Sequence, residues 1–241
     1  MLKKDLGKIK KVKSPLWAGE FSSIEEIQRS KIFSNPTPLP LLFYERNTLD
    51  VAQDLLGKVL LVRSEPGYSL DDPRSQITAG RIVETEAYRE DDPASHSFRG
   101  ETPRSSVMFG EPGVAYVYFI YGIYEMLNFV TEPKGTAGAV LIRALDPIAG
   151  QSLMLKRRNV RQPFHSLMSG PGKLCRAMGI KKSHNRESLM GPRLYVIDDG
   201  FLPNSISKSP RVGISLAQDK LWRFFITDSP YISRVKQNKE N

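Results

Sequence analysis

Eight consecutive residues, Arg81-Ile82-Val83-Glu84-Thr85-Glu86-Ala87-Tyr88, concentrate chemistry that the rest of the chain lacks. Their alternation marks a strand, and a two-residue period sets Glu84, Glu86 and Tyr88 on one face. Two carboxylates sharing a surface raise the apparent pKa of one, which suits acid/base work or a divalent metal. The same pattern also fits a pair of surface glutamates neutralised by the surplus of Arg and Lys. Five of the nine tyrosines, Tyr88, Tyr116, Tyr118, Tyr121 and Tyr124, gather in this part of the chain. Tyrosine is a good strand former, so sheet packing explains some of the cluster, yet flat amphipathic rings beside cations are also stacking platforms for bases. A hairpin turning at Tyr121-Gly122 leaves Tyr118 on the sheet and projects Tyr121 at the tip, where a ring could wedge between base steps.

Other reactive residues carry weaker signals. His96 lies in the loop Asp91-Asp92-Pro93-Ala94-Ser95-His96-Ser97, just past the two glutamates. With three histidines in the chain, and neither the His-x-Glu and Pro-Cys-x-x-Cys spacing of zinc deaminases nor His-Glu-x-x-His, the sequence calls for no metal and no other cofactor. Cys175 is the single cysteine, so no disulfide forms within one chain, and its apolar surroundings predict a buried structural thiol rather than a nucleophile. Gly170-Pro171-Gly172-Lys173 lacks the spacing of a phosphate-binding loop. A helix starting there could still hold one backbone phosphate, with Lys173 beside it.

The elements that position these residues follow from periodicity and breakers. Thr48 is expected to cap a helix with Leu49, Ala52, Leu55 and Leu56 on one face and Gly57 as its stop. Strands are expected at 58–63, 79–88, 137–143, 193–197, 211–216 and 221–226, with a hairpin over 113–131 and helices at 151–158 and 171–178. No βαβ rhythm and no repeat emerges. The expected fold is α+β, a single domain with a curved, mainly antiparallel sheet, flanking helices and a protruding hairpin. The 241 residues, 40% hydrophobic, supply enough apolar material for such a core. A net charge of +9 suits a polyanionic partner, nucleic acid first. Residues 1–36, rich in lysine at the start, read as a basic, flexible arm ahead of a catalytic domain at 37–238. No run approaches a membrane span and the start lacks the apolar core of a signal peptide, so a cytoplasmic or nucleoid location, or a nuclear one in a eukaryote, is expected.

The run 81–88 with His96-Ser97, Thr102-Pro103-Arg104, Tyr116-Val117-Tyr118-Phe119-Ile120-Tyr121-Gly122, Asn128, Leu141-Ile142-Arg143-Ala144-Leu145-Asp146-Pro147 and Gly170-Pro171-Gly172-Lys173-Leu174-Cys175 resembles the alkyladenine (3-methyladenine) DNA glycosylase family. Arg211-Val212-Gly213 and Trp222-Arg223-Phe224-Phe225 extend the likeness to the C-terminal part. The resemblance implies a hairpin that enters the minor groove of duplex DNA, an enzyme acting as a monomer, and hydrolysis of an alkylated purine's glycosidic bond. By position it makes Glu86 the general base, with Arg143 and the backbone carbonyl of Val212 orienting the water. Tyr88, His96 and Tyr118 would sandwich the flipped base, Tyr121 would fill the gap in the duplex, and Asn128 would exclude the amino group of guanine. Arg104 and Lys173 are expected on DNA phosphates.

Two other readings use the same residues. A metal-dependent nuclease would hold magnesium with Glu84, Glu86 and Asp91 and would fail in EDTA. A noncatalytic nucleic-acid binder would use the tyrosines for stacking alone.

Overall fold

The computed structural model describes residues 37–64, 76–160 and 164–233. The basic arm expected at 1–36 lies outside them, as do 234–238. Chain order runs α1 (Leu41–Tyr44), α2 (Thr48–Asp54), β1 (Val59–Arg63), β2 (Ile77–Arg89), β3 (Ala115–Ile120), β4 (Tyr124–Thr131), β5 (Gly138–Ala149), α3 (Gln151–Arg158), α4 (Pro171–Met178), β6 (Leu194–Ile197), β7 (Ile206–Ser209) and β8 (Arg223–Ile226). The eight strands of the described residues form one sheet in which the strand pairings are antiparallel, in the order β3-β4-β5-β2-β1-β6, with β8 also paired to β2 and β7 to β8. This is the α+β single-sheet architecture expected.

The long strand β2 explains the curl and the placement of the site. One of its edges pairs with β5 from Ala79 to Arg89, while the other pairs first with β1 (Ile77 to Arg81) and then with β8 (Glu84 to Glu86). The sheet therefore forks at Ile82–Val83. Register shifts flank Glu84: Ile82 faces Leu145 and Glu84 faces Ala144, so Val83 has no partner; Thr85 then faces Ile142, so Arg143 has none. Bulges of this kind sharpen local twist and re-aim side chains.

One face of the sheet carries the helices. Val51, Ala52 and Leu55 at α2, Met154 of α3, and Leu174, Cys175, Ala177 and Met178 of α4 pack with Ile82, Ala87, Val140, Ile142 and Leu145 in the main core. Fully burying a Leu or Ile side chain contributes about 1.5–3 kcal/mol, so this layer holds the sheet's shape. Thr85 turns to the same side and donates from its hydroxyl to the Ala52 carbonyl (2.8 Å). By alternation Glu84, Glu86 and Tyr88 then face the other side. Helix α4 starts at Pro171, whose missing N–H costs nothing at a first turn, and ends at Gly179, whose φ of +77° suits glycine.

Two local expectations need correction, and one strand is not among those expected. Asn47, not Thr48, caps α2, accepting from the Leu49 amide at 2.9 Å. Thr48 is buried, and its hydroxyl is taken by Thr131 and Glu132 at the end of β4. Residues 211–216 form no strand, because the Val212 amide donates to a side chain instead of a ladder and Gly213 has φ +77°. Strand β7, by contrast, escapes the hydrophobic pattern, since Ile-Ser-Lys-Ser is mostly polar and partly exposed.

Candidate active site

On the open face, a cavity of about 340 Å³ is lined by residues from β2 to β5 and by two loops and a helix start. Tyr88 comes from β2, Tyr116 and Tyr118 from β3, Asn128 from β4 and Arg143 from β5. His96 comes from the loop after β2, Pro171 from the first turn of α4, and Val212 and Gly213 from the loop before β8. That volume lies in the range of small-molecule sites.

Glu86 lies directly behind this lining and is wholly buried. One carboxylate oxygen accepts from the Val212 amide (2.7 Å), and the other from the Tyr88 hydroxyl (2.8 Å) and the Arg143 Nη1 (3.1 Å). Burial pushes the Glu86 carboxyl above the ordinary carboxylate range, against the pull of the Arg143 charge, the Val212 amide and the Tyr88 hydroxyl. Tyr88 is pushed well above the usual phenol range, first by burial and then by the adjacent Glu86 charge, so it stays a donor. Arg143 keeps its proton, because the charges of Glu86 and Glu84 outweigh its own burial.

Glu84 is also fully buried, which rules out the surface-pair reading. It accepts from Arg143 Nε (3.0 Å), Arg223 Nε (2.7 Å), the Ser233 hydroxyl (2.6 Å) and the Ser233 amide (2.5 Å). Asp91, the third ligand of the nuclease reading, pairs with Arg89 instead. Among the described residues no group of three His, Cys, Asp or Glu gathers as a metal site.

The aromatic wall is tightly built. His96 and Tyr118 meet edge to face at 4.7 Å, Tyr116 and Tyr118 lie 5.2 Å apart, and His96 Nδ1 hydrogen-bonds the Tyr116 hydroxyl at 2.9 Å. Burial of the imidazole against these rings and the nearby Arg104 charge lower the His96 pKa to about 4, so the ring is neutral at physiological pH. Arg104 lies 4.9 Å above the Tyr118 ring, at the exposed rim of the cavity. Asn128 is buried, and its side-chain amide donates to the Tyr116 carbonyl at 3.1 Å.

The hairpin of β3 and β4 closes over Tyr121-Gly122-Ile123, with Tyr121 and Gly122 both in the left-handed region and Ile123 donating to the Ile120 carbonyl. Tyr121 is 82% exposed at the tip. Lys173 is exposed in the first turn of α4, and a Cβ at its neighbour Gly172 would lie 2.8 Å from the ring of Tyr124, which pairs with Ile120 beside the hairpin turn. Cys175 is buried in the core, and burial drives its thiol pKa up, as a structural thiol requires.

The structure thus brings Tyr88, Arg143, Val212, His96, Tyr118 and Asn128 to one cavity with Glu86 behind it; Tyr121 also lines the cavity, at its exposed edge, and Arg104 and Lys173 are not among the lining residues. Of Val212, it is the amide that touches Glu86. Sequence reasoning placed Tyr116 in the tyrosine cluster and Arg211 in the family likeness but gave neither a role: Tyr116 ties His96 to Asn128, and Arg211 stacks between Tyr88 (4.7 Å) and Trp222 (5.2 Å). Arg211 also holds the buried Asp92 and donates to the Ala87 carbonyl, fastening the loop that carries His96. Two acids before a proline read as turn residues, and nothing local to them pointed to a partner 119 residues away.

Comparison with known proteins agrees with this geometry. Residues 42–230 match the family model described as methylpurine-DNA glycosylase. Similar proteins, each named "Putative 3-methyladenine DNA glycosylase", occur in Prosthecochloris aestuarii (47% identity over 195 residues, covering 80% of this chain and 89% of the relative) and Methanoculleus marisnigri (47% over 200 residues, 81% and 98%). Another, in Chlorobaculum tepidum, is 46% identical over 196 residues, covering 80% and 90%. The chain belongs to the methylpurine-DNA glycosylase family and is a DNA glycosylase, a hydrolase of base excision repair.

Proposed function

We propose that this glycosylase hydrolyses the N-glycosidic bond of alkylated purines in duplex DNA, 3-methyladenine and 7-methylguanine first, with hypoxanthine and ethenoadenine as further substrates, and leaves an abasic site. The observation that carries the reading is Glu86, a buried carboxylate held by three donors behind an aromatic cavity.

A stacked base hides its glycosidic bond, so the nucleotide is rotated out at a cost of about a few kcal/mol, least where damage has weakened pairing. Tyr121, unpartnered at the hairpin tip, fills the vacancy. The flipped base enters between Tyr88 on one side and Tyr118 with His96 on the other, where the positive charge of an N-alkylpurine is attracted to ring faces by about 1–2 kcal/mol. Asn128 bars the exocyclic amino group of guanine. Arg104 and Lys173 take backbone phosphates on either side.

A carboxylate offers about four acceptor sites, and three of those on Glu86 are filled, leaving one for a water O–H. As the C1′–N bond breaks, its electron pair goes to the base and cancels the base's positive charge. The water oxygen bonds to C1′ and its proton passes to Glu86, with Arg143 and the Val212 carbonyl orienting the attack. No lysine is among the residues lining the cavity, which favours direct hydrolysis over a Schiff base and strand cleavage.

The test is base release from one methylated and one hypoxanthine-containing duplex, with and without EDTA. Free base in EDTA, with strands that break only on alkali treatment, is expected; a direct break abolished by EDTA overturns the reading.

A further inference from the structure

Beneath the cavity, four charged side chains form one buried group: Glu84 and Glu86 of β2, Arg143 of β5 and Arg223 of β8. Arg143 stands between the carboxylates, with Nε on Glu84 and Nη1 on Glu86. Arg223 lies opposite Glu86 in the β2–β8 register but sends its Nε to Glu84, and its Nη1 to the Ser209 hydroxyl. No hydrogen bond of Arg223 reaches Glu86, and the cavity lining does not include it.

We propose that Arg223 and Glu84 are positioning residues that set the charge state of Glu86: Arg223 neutralises Glu84, so that the one guanidinium of Arg143 remains available to Glu86. The inference rests on the reading of Glu86 as the general base. Two carboxylates and two guanidiniums sum to zero, so the buried group is balanced in charge; charges a few ångströms apart in such a place interact far more strongly than in solvent. Removing Arg223 leaves two acids to share one cation, and Glu86 takes a proton more readily. Removing the charge of Glu84 leaves two cations to one acid, and Glu86 holds its proton less readily.

The remaining groups around this cluster are donors, rings and a few charged or titratable side chains, among them His165, which lines a second cavity with Arg223 and Ser233. Facing Glu86 are Tyr88 from its own strand, Tyr118 from β3 and the Val212 amide. His96 and Arg104 lie against Tyr118, and Arg211, paired with Asp92, lies against the ring of Tyr88. Facing Glu84 is Ser233, whose hydroxyl also accepts from Arg143 Nη2 at 3.3 Å.

The experiment follows single-turnover release of methylpurines from methylated duplex DNA against pH, for the wild type, Arg223→Gln, Glu84→Gln and the double variant. The acid-side midpoint is expected to move up by about one pH unit in R223Q, down by about one in E84Q, and to return near the wild-type value in the double variant. General loosening of the site lowers rates without opposite shifts. Midpoints unmoved in E84Q, or shifted the same way in both single variants, overturn the proposal, and E84Q alone decides if R223Q does not fold. If the wild type releases no methylpurine, or Glu86→Gln retains release, the base assignment itself is wrong; release with an intact Glu86 dependence but unmoved midpoints refutes only the role of Arg223 and Glu84.

Discussion

The floor of the cavity and the tip of the hairpin are built on opposite terms. At the floor, Glu84 and Glu86 are fully buried and held by seven hydrogen bonds between them, so their geometry exists before any DNA arrives. At the tip, Tyr121 and Ile123 are 82% and 63% exposed and both stand on a turn with left-handed backbone. Stabilising a transition state requires dipoles that need no rearrangement at the moment of reaction, whereas a wedge must stay unpartnered until a duplex supplies its contacts. The proposed function gives chemistry to one region and distortion of DNA to the other, and that division can be broken at either end.

The largest effect is expected from Glu86→Gln, which keeps the shape and removes the base. Release of methylpurine should fall by about 10²–10⁴-fold in single-turnover assays, the usual span for a general base, while affinity for a duplex with an abasic-site analogue is retained. A loss of binding of the same size would erase the division. Tyr121→Ser comes next: removing a stacking ring costs about 1–3 kcal/mol, so binding of damaged duplex and the flipping equilibrium, read by ethenoadenine fluorescence, should weaken while thermal stability stays put. An unchanged flipping equilibrium would take the wedge role away. Asn128→Ala joins the two regions, since it should raise guanine excision, measured on undamaged duplex. It should also cost about 1 kcal/mol of stability, because the Tyr116 carbonyl loses its donor.

A last prediction, read in stability and not in activity, concerns a carboxyl without such a clamp. Asp146 on β5 is largely buried, but the Arg81 guanidinium beside it is engaged by Asp199 and the Gly57 carbonyl. Burial raises the Asp146 pKa to about 7, against the charge of Arg81 and a hydrogen bond from Tyr231. A carboxyl whose pKa is raised by folding contributes stability below its unfolded value that is lost as pH rises through its folded one. The melting temperature of Asp146→Asn should therefore gain on the wild type between pH 4 and pH 7 and hold a constant lead above that; a lead independent of pH would refute it. Set beside this acid, Glu86 differs in its three donors, which under the proposed mechanism let a buried carboxylate act as a base.

How much of this could be read from the chain varies with the range of the interaction. Periodicity and breakers marked α3 and α4 to the residue, because Pro171, Gly179 and the buried face of α4 act locally. The shared face of Glu84, Glu86 and Tyr88 followed from the two-residue period. Strand β7 and the absence of a strand at 211–216 did not, since the Val212 amide is claimed by a carboxylate 126 residues earlier and a short polar strand is held by its neighbour rather than its own pattern. Arg223 stood in a recognisable stretch, yet its partnership with Glu84 depends on which strand joins β2 beyond the fork, and no local pattern encodes that.

The bulge at Arg143 gives one last consequence. Because this residue is the unmatched one in β5, its direction is specified by counting along the strand rather than by its own type. Val140 and Ile142 reach the helix layer before it and Leu145 after it, an odd interval that an unbroken strand cannot produce. Deleting a residue at the bulge would leave Val140, Ile142 and Leu145 on the helix side by plain alternation, but would close the gap from which the guanidinium reaches both Glu84 and Glu86. In redesign of this enzyme, the length of β5 at this point is as firm a constraint as the identity of Arg143.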